Sequence, residues 1–273
     1  DISRILKKAY NAEALAVVPG GGTYGMEAIA RQFASNKSTL IIRNGWFSYR
    51  WSQILDAGDI AKSQTIIKAI TKNQSSLVSL SESNDLVFAI GPAGTGKTYT
   101  AIAIAVKALK ENKVRKIILT KPAIEAGENL GFLPGDLKEK LDPYIQPLYD
   151  SLYEMIPSNK LSAHIRDKTI EIAPLAYMRG RTLDEAFVIL DEAQNTTKAQ
   201  MKMFLTRMGR NAKFIITGDP GQIDLPKGIK SGLKEALIIL KKIKNISVVK
   251  FNDTDIIRHP LVKKIIKAYG FNK

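Results

Sequence analysis

A three-layer α/β fold on a mostly parallel central sheet is the architecture this 273-residue chain predicts, and three observations carry that expectation. Six short apolar runs recur along residues 86–251 with helical segments between them, the alternation that gives parallel strands with helical crossovers. The first run opens into a glycine-rich turn that leads directly into an amphipathic helix. A later run ends in two adjacent acids, Asp191-Glu192, as befits a strand whose C-terminal end opens into a ligand crevice.

The expected strands are residues 86–90, 116–120, 169–173, 187–190, 213–217 and 246–251. Leu86-Val87-Phe88-Ala89-Ile90 is apolar throughout, the pattern of a strand buried on both faces. The Ser-rich stretch 74–84 before it reads as helix or loop. Residues 97–110 place Ala101, Ile102, Ala105, Val106 and Leu109 at helical spacing, with Thr98 and Thr100 in the first turn. Residues 131–160 hold Pro134, Pro143, Pro147 and Pro157 with Tyr144, Tyr149 and Tyr153 between them. They form an insertion whose tyrosines either stack single strands or pack into the core. Asn195-Thr196-Thr197 offer caps for a helix over 198–209, which leaves Asp191 and Glu192 free of capping. Residues 230–244 read as an amphipathic helix on Leu237, Ile238, Leu240 and Ile243.

The glycine-rich turn is Gly91-Pro92-Ala93-Gly94-Thr95-Gly96-Lys97-Thr98, matching G-x-x-x-x-G-K-[ST] at every fixed position. Its glycines let the backbone bend so that successive N–H groups point inward, and the helix N-terminus adds partial positive charge, so polyphosphate is held by main chain. Lys97 is expected to reach the β- and γ-phosphates of ATP, and the Thr98 hydroxyl to ligate Mg²⁺. Tyr99 follows at the same end of the helix and completes the expected nucleotide contacts. Asp191 is the second candidate for the Mg²⁺ shell, and Glu192 for polarising the attacking water. A third strand end carries Thr217-Gly218-Asp219-Pro220-Gly221-Gln222. Gln222 is the candidate sensor of the γ-phosphate there, with a plain surface turn as the alternative.

Residues 64–273 resemble the PhoH family of phosphate-loop ATPases, which are similar to the first RecA-like domain of superfamily-one helicases. The matching segments are 91–98, Thr120-Lys121-Pro122-Ala123-Ile124-Glu125-Ala126-Gly127-Glu128, Leu130-Gly131-Phe132-Leu133-Pro134-Gly135, Pro174 with Leu175 through Arg181, 191–195, 218–226 and Arg258-His259-Pro260. The resemblance implies a RecA-like phosphate-loop NTPase fold, ATP binding, Mg²⁺-dependent hydrolysis and a link to RNA, with Lys97, Thr98, Asp191, Glu192 and Gln222 in the roles above. It also implies that Gln74 reads the adenine edge. A single RecA-like domain lacks the second domain that closes the nucleotide site, so a homo-oligomer, a ring among its forms, is expected. In it a neighbour presents Arg258 to the γ-phosphate, with Arg179, Arg181 and Arg207 as further candidates. Position 121 is Lys where many relatives have Arg, which keeps charge and loses bidentate geometry. No nuclease domain follows Lys273, so ribonuclease activity is not expected.

Residues 1–60 read as an extension to an ATPase domain over 61–273. Asn11 through Ala28, which includes Pro19-Gly20-Gly21-Gly22-Thr23-Tyr24-Gly25, with Leu40-Ile41-Ile42-Arg43-Asn44-Gly45-Trp46-Phe47, resembles a fragment of a class V pyridoxal-phosphate aminotransferase. The Schiff-base lysine of that family has no counterpart downstream, so no transaminase activity is expected. A glycine-rich lead-in native to the ATPase is the alternative.

Zero Cys excludes disulfides, thiolate zinc sites and thiol catalysis. No apolar run approaches the ~20 residues of a membrane helix, and no signal-peptide pattern opens the chain. A cytoplasmic protein with no membrane partner is expected. The net charge is +15, and residues 1–60 hold seven basic and five acidic side chains, so the excess belongs to the ATPase part. Such a surface attracts RNA by counterion release; a solvated helix face is the alternative. Three function classes follow: an RNA-stimulated ATPase, a nucleotide-switched module with slow hydrolysis and a protein partner, and a small-acceptor kinase, which the acid pair disfavours.

Overall fold

Polar residues interrupt the hydrophobic pattern near the N-terminus often enough to give short elements: α1 (Gly22–Phe33), β1 (Ser38–Arg43), α2 (Trp46–Ala57) and β2 (Ser63–Lys68). β1 pairs with β2, and Ala30, Ile41, Ile54, Leu55 and Ile60 form a small buried cluster. The computed structural model describes residues 22–43, 46–122, 137–226 and 228–257. It divides into two units, Asp1–Ile66 and Ile67–Lys273. The first unit runs beyond residue 60 because residues 63–68 pair back onto 38–43. Gly22 opens α1, while Pro19, Gly20 and Gly21 lie outside the described residues.

The second unit continues with α3 (Lys72–Ser83), β3 (Leu86–Ile90), α4 (Lys97–Lys110), β4 (Lys116–Lys121), α5 (Leu137–Met155) and α6 (Ser158–Arg166). It then runs through β5 (Ile170–Pro174), β6 (Ala186–Leu190), α7 (Lys198–Leu205), β7 (Lys213–Gly218), α8 (Gly232–Ile239) and β8 (Ile246–Lys250). The six strands form one sheet in the order β5-β4-β6-β7-β3-β8, every neighbouring pair parallel. Each lies within one residue of its expected bounds.

Both faces are covered, as an all-parallel sheet requires. Leu86, Phe88, Ile90, Ile118, Val188, Leu190, Phe214 and Ile216 face Met201, Phe204, Leu233 and Ala236 from α7 and α8. The alternate residues Val87, Ala89, Ile117, Leu119, Phe187, Ile189 and Ile215 are equally buried, and α4 packs against β4, β6 and β7. The Phe204 and Phe214 rings lie 5.0 Å apart at 43°, within the range of favourable aromatic pairs, and fasten α7 to β7.

Two expectations need correction. The helix expected over 198–209 stops at Leu205, because the chain beyond it pairs with residues 183–185: Leu183 N–H donates to Arg207 C=O, Gly209 N–H to Leu183 C=O and Glu185 N–H to Arg210 C=O. The helix expected over 230–244 spans only Gly232–Ile239 and buries Gly232, Leu233 and Ala236. Ile238 and Ile243 are exposed, so they do not form its inner face. Residues 137–155 of the proline-rich insertion are one helix that carries Pro143 and Pro147; its buried side is Ile145, Leu148 and Leu152, while Tyr153 is exposed.

α7 and α8 meet at Gly232, whose N–H donates to Thr196 C=O at 2.7 Å. A Cβ there would come within 2.5 Å of the Thr197 carbonyl and 2.8 Å of Met201 Cβ. Gly232→Ala is expected to lower the unfolding free energy by about 1–3 kcal/mol, read as a fall in the urea midpoint at unchanged slope.

Candidate active site

β3 ends at Ile90, and the chain turns through Gly91 (φ 144°), Gly94 (φ 77°) and Gly96 (φ 76°) before entering α4. Position 91 accepts no side chain, since a Cβ would overlap the Phe251 carbonyl just beyond β8. No side chain caps α4. By contrast, Thr71 caps α3 through Gln74 N–H, and Thr197 caps α7 in a reciprocal box with Gln200. The uncapped first turn of α4 is an anion-binding arrangement.

Lys97 is buried and folds over this loop. Its Nζ donates to the carbonyls of Gly91 and Pro92 at 2.7 and 2.6 Å. Burial pushes its pKa below the ordinary lysine value, while Asp219, Asp191 and Glu192 pull the other way by favouring the charged form. Thr95 donates its hydroxyl to Pro92 C=O at 2.9 Å.

β7 lies between β3 and β6, so the loop after β3 and the acids after β6 are roughly 10 Å apart in the sheet plane. The side chains close that gap. Asp191 Oδ1 accepts the Thr98 hydroxyl at 2.7 Å and the Thr217 hydroxyl at 2.6 Å. Lys121 Nζ stands 3.5 Å from Asp191 Oδ2, so this lysine places its charge at the site. Glu192 has φ 54°, a left-handed conformation that is sterically costly outside glycine, and its side chain accepts from Gln194 Nε2 at 2.6 Å. Gln194 is buried, and its Oε1 accepts from Asp219 N–H at 3.0 Å. Asn195 and Asp224 exchange two bonds, side chain to side chain at 3.1 Å and Asp224 N–H to Asn195 Oδ1 at 2.8 Å.

These groups surround a cavity of about 350 Å³, lined by Ala93, Gly94, Gly96, Lys97, Thr98, Tyr99, Lys121, Asp191, Glu192, Asp219 and Gln222, with Pro147 and Ser151 of α5 on its far side. Gln222 is exposed, and its N–H donates to Asp219 C=O at 3.1 Å. Tyr99 is partly exposed; burial first, then Glu154, raises its phenol pKa. Gln74 lies beneath the loop instead of on the surface. Its Oε1 accepts Ile70 N–H at 2.7 Å and its Nε2 donates to Thr95 C=O at 3.0 Å, so reading an adenine edge requires those bonds to be released.

Of the candidate arginines, Arg181 makes a two-pronged bond to Glu171 at 2.6 and 2.7 Å. Arg207 donates to the carbonyls of Met203 and Arg181, and Arg179 is exposed. Arg258 lies outside the described residues; just before it, Ile257 N–H donates to Gly94 C=O at 3.0 Å. Thr217, Gln194 and Asp219 carried no expected role. Parallel register, which sets Leu190 beside Ile216 and so Asp191 beside Thr217, is the signal that would have found the first.

Residues 66–270 match the family model described as PhoH-like protein. The chain belongs to the PhoH-like family. A PhoH-like protein of Bacillus subtilis (strain 168) is 62% identical over 203 residues, covering 74% of this chain and 64% of that protein. One from Mycobacterium tuberculosis (strain ATCC 25618 / H37Rv) is 47% identical over 259 residues, 95% of this chain and 72% of its own length. Most of residues 1–60 therefore lie inside that alignment. Among solved structures, the Pyrococcus furiosus Hef helicase domain aligns with TM-score 0.43 at 15% identity, over 67% of this chain and 38% of that one. The chain thus spans just under two thirds of its Bacillus relative. No described helix of this PhoH-like chain is long and apolar enough to cross a membrane.

The Arg181 bond holds the Glu171 carboxyl below its ordinary value of 4.5, against the opposing effect of burial. A carboxylate lowered in the folded state adds stability above its unfolded pKa, and that stability is lost as pH falls below it. Arg181→Ala is expected to lower the unfolding free energy near pH 7 by about 0.5–1 kcal/mol. The deficit relative to the parent narrows as melts are taken from pH 5 downward.

Proposed function

We propose that this PhoH-like chain binds ATP on the phosphate loop and hydrolyses it with Mg²⁺, and that RNA is the partner to which hydrolysis is coupled. The observation that supports this reading best is the meeting of the Thr98 hydroxyl and the Asp191 carboxylate at 2.7 Å, which brings two hard oxygen donors from separate strand ends to one spot. Such a pair fits Mg²⁺, which takes one or two protein oxygens and fills its remaining positions with water and phosphate. Among the described residues no three His, Cys, Asp or Glu side chains gather into a metal cluster, so these two would hold the ion. When bound, it neutralises charge across the β- and γ-phosphate oxygens.

The chain's own groups divide the remaining work. Loop N–H groups and the first turn of α4 receive the phosphates. Lys97 exchanges its two carbonyl acceptors for phosphate oxygens. Glu192, turned into the cavity by its left-handed backbone, accepts a proton from the water whose oxygen bonds to the γ-phosphorus as the bond to the bridging oxygen breaks. Gln222 senses the product on the rim. Tyr99 offers an exposed ring beside the loop. A neighbouring copy would supply an arginine, with Arg258 the first candidate because Arg181 and Arg207 are spent internally. The net charge of +15 supports RNA as the coupled ligand.

The alternative is a nucleotide-switched binding module with a protein partner. It is favoured by the bonds that run from Glu192 through Gln194 to Asp219 and Ser231, since these couple the acid to the loop leading into α8. Phosphate release from ATP and Mg²⁺, measured with and without single-stranded RNA, separates the two. Glu192→Gln is expected to cut release by about 10²–10⁴-fold while ATP binding persists, and Lys97→Ala to abolish binding. RNA stimulation lost in Glu192→Gln supports the coupled ATPase. Slow release indifferent to RNA moves the reading to the switch, and no binding of ATP by the parent protein overturns both.

A further inference from the structure

α7 and α8 lie side by side, and between them runs a groove of about 400 Å³ floored by Met201, Leu205, Ala236, Ile239 and Leu240. The apolar surface continues past the groove. Ile229, Ile238, Ile239 and Ile243 are 46%, 76%, 62% and 51% exposed, a density of large aliphatic side chains that marks an interaction surface. The surround is basic. Residues 198–210 and 228–245 contain nine Lys or Arg and a single acid, Glu235, which Lys198 already engages at 2.5 Å.

We propose that this groove is the docking site of an acidic, amphipathic helix carried by a protein partner. An apolar trough of this shape takes the hydrophobic stripe of a helix. Lys202, which lines the groove from α7, selects carboxylates on its flank, and Lys234 of α8 lines the neighbouring hollow with Ile229 and Ile238. The sign of the rim argues against residues 258–273, which carry five basic side chains and no acid. It argues equally against a second copy docked through the same face, which would oppose like charges. Nucleic acid matches the charge but not the floor. The one aromatic residue in these segments, Phe204, is fully buried, so no ring is available to stack a base, and the isoleucines would stay wet.

The site is a binding surface and stands apart from the ATPase reading, so it is tested without turnover. The full chain is titrated against a fluorescein-labelled peptide of about five helical turns, with Leu at i, i+3, i+4 and i+7 spacing and Glu elsewhere, and against its Lys-for-Glu counterpart. Saturable binding of the acidic peptide on the order of 10 µM is expected, with the basic peptide at least about 10-fold weaker. Ile239→Asp and Lys202→Glu, both at exposed positions and so expected to melt like the parent, should each weaken the acidic peptide by about 10-fold. Three results overturn the proposal. The acidic peptide does not saturate or binds both variants as well as the parent; single-stranded oligo(U) displaces it competitively, which gives the face to RNA; or sedimentation shows a dimer that Ile239→Asp dissociates, which gives it to a second copy.

Discussion

One carboxylate organises the C-terminal end of the sheet. Asp191 receives the Thr98 hydroxyl from the phosphate loop and the Thr217 hydroxyl from the strand between, and neither bond exists unless β6, β7 and β3 are neighbours in that order. The strand order, in turn, rests on apolar runs buried on both faces, with helices on either side. The site is therefore the place where three strand ends are checked against one another. A register slip in any of them would leave Asp191 buried beside unpaired hydroxyls, at the cost of unsatisfied polar groups in a low-dielectric setting.

Around that carboxylate the structure concentrates opposing charge. Lys97 is disfavoured as a cation by burial and favoured by three acids, which leaves it held by main-chain oxygens while keeping it within reach of phosphate. Glu192 is held differently. Its backbone is in a conformation that costs about 1–3 kcal/mol for a non-glycine residue, and its side chain is tethered by Gln194, whose other end reaches the turn after β7. Ser231 closes the circuit by donating to Gln194 C=O at 2.7 Å. The acid and the entry to α8 thus share a single buried glutamine as a common support.

The strands, the phosphate loop and the acid pair were legible in the chain because each is local: four or five apolar residues, eight fixed positions, two adjacent carboxylates. What escaped depends on partners distant in sequence. α7 ends at Leu205 because residues 207–210 bond to 183–185, and no periodicity within 198–209 announces that. Thr217 gains its role only from parallel register, and Gln194 only from the turn at Asp219. The burial of Gln74 under Thr95 and Gly96 could not be read from a polar, serine-rich segment. The isoleucines near α8 show the converse error, since helical spacing alone does not say which apolar residues face inward.

The bond from Ile257 N–H to Gly94 C=O ties the last described residue to the nucleotide loop. A rearrangement of the loop at Gly94, where the backbone is left-handed, therefore either carries residue 257 with it or breaks that bond. The course of the chain at residue 257 and the shape of the loop are set by the same few atoms.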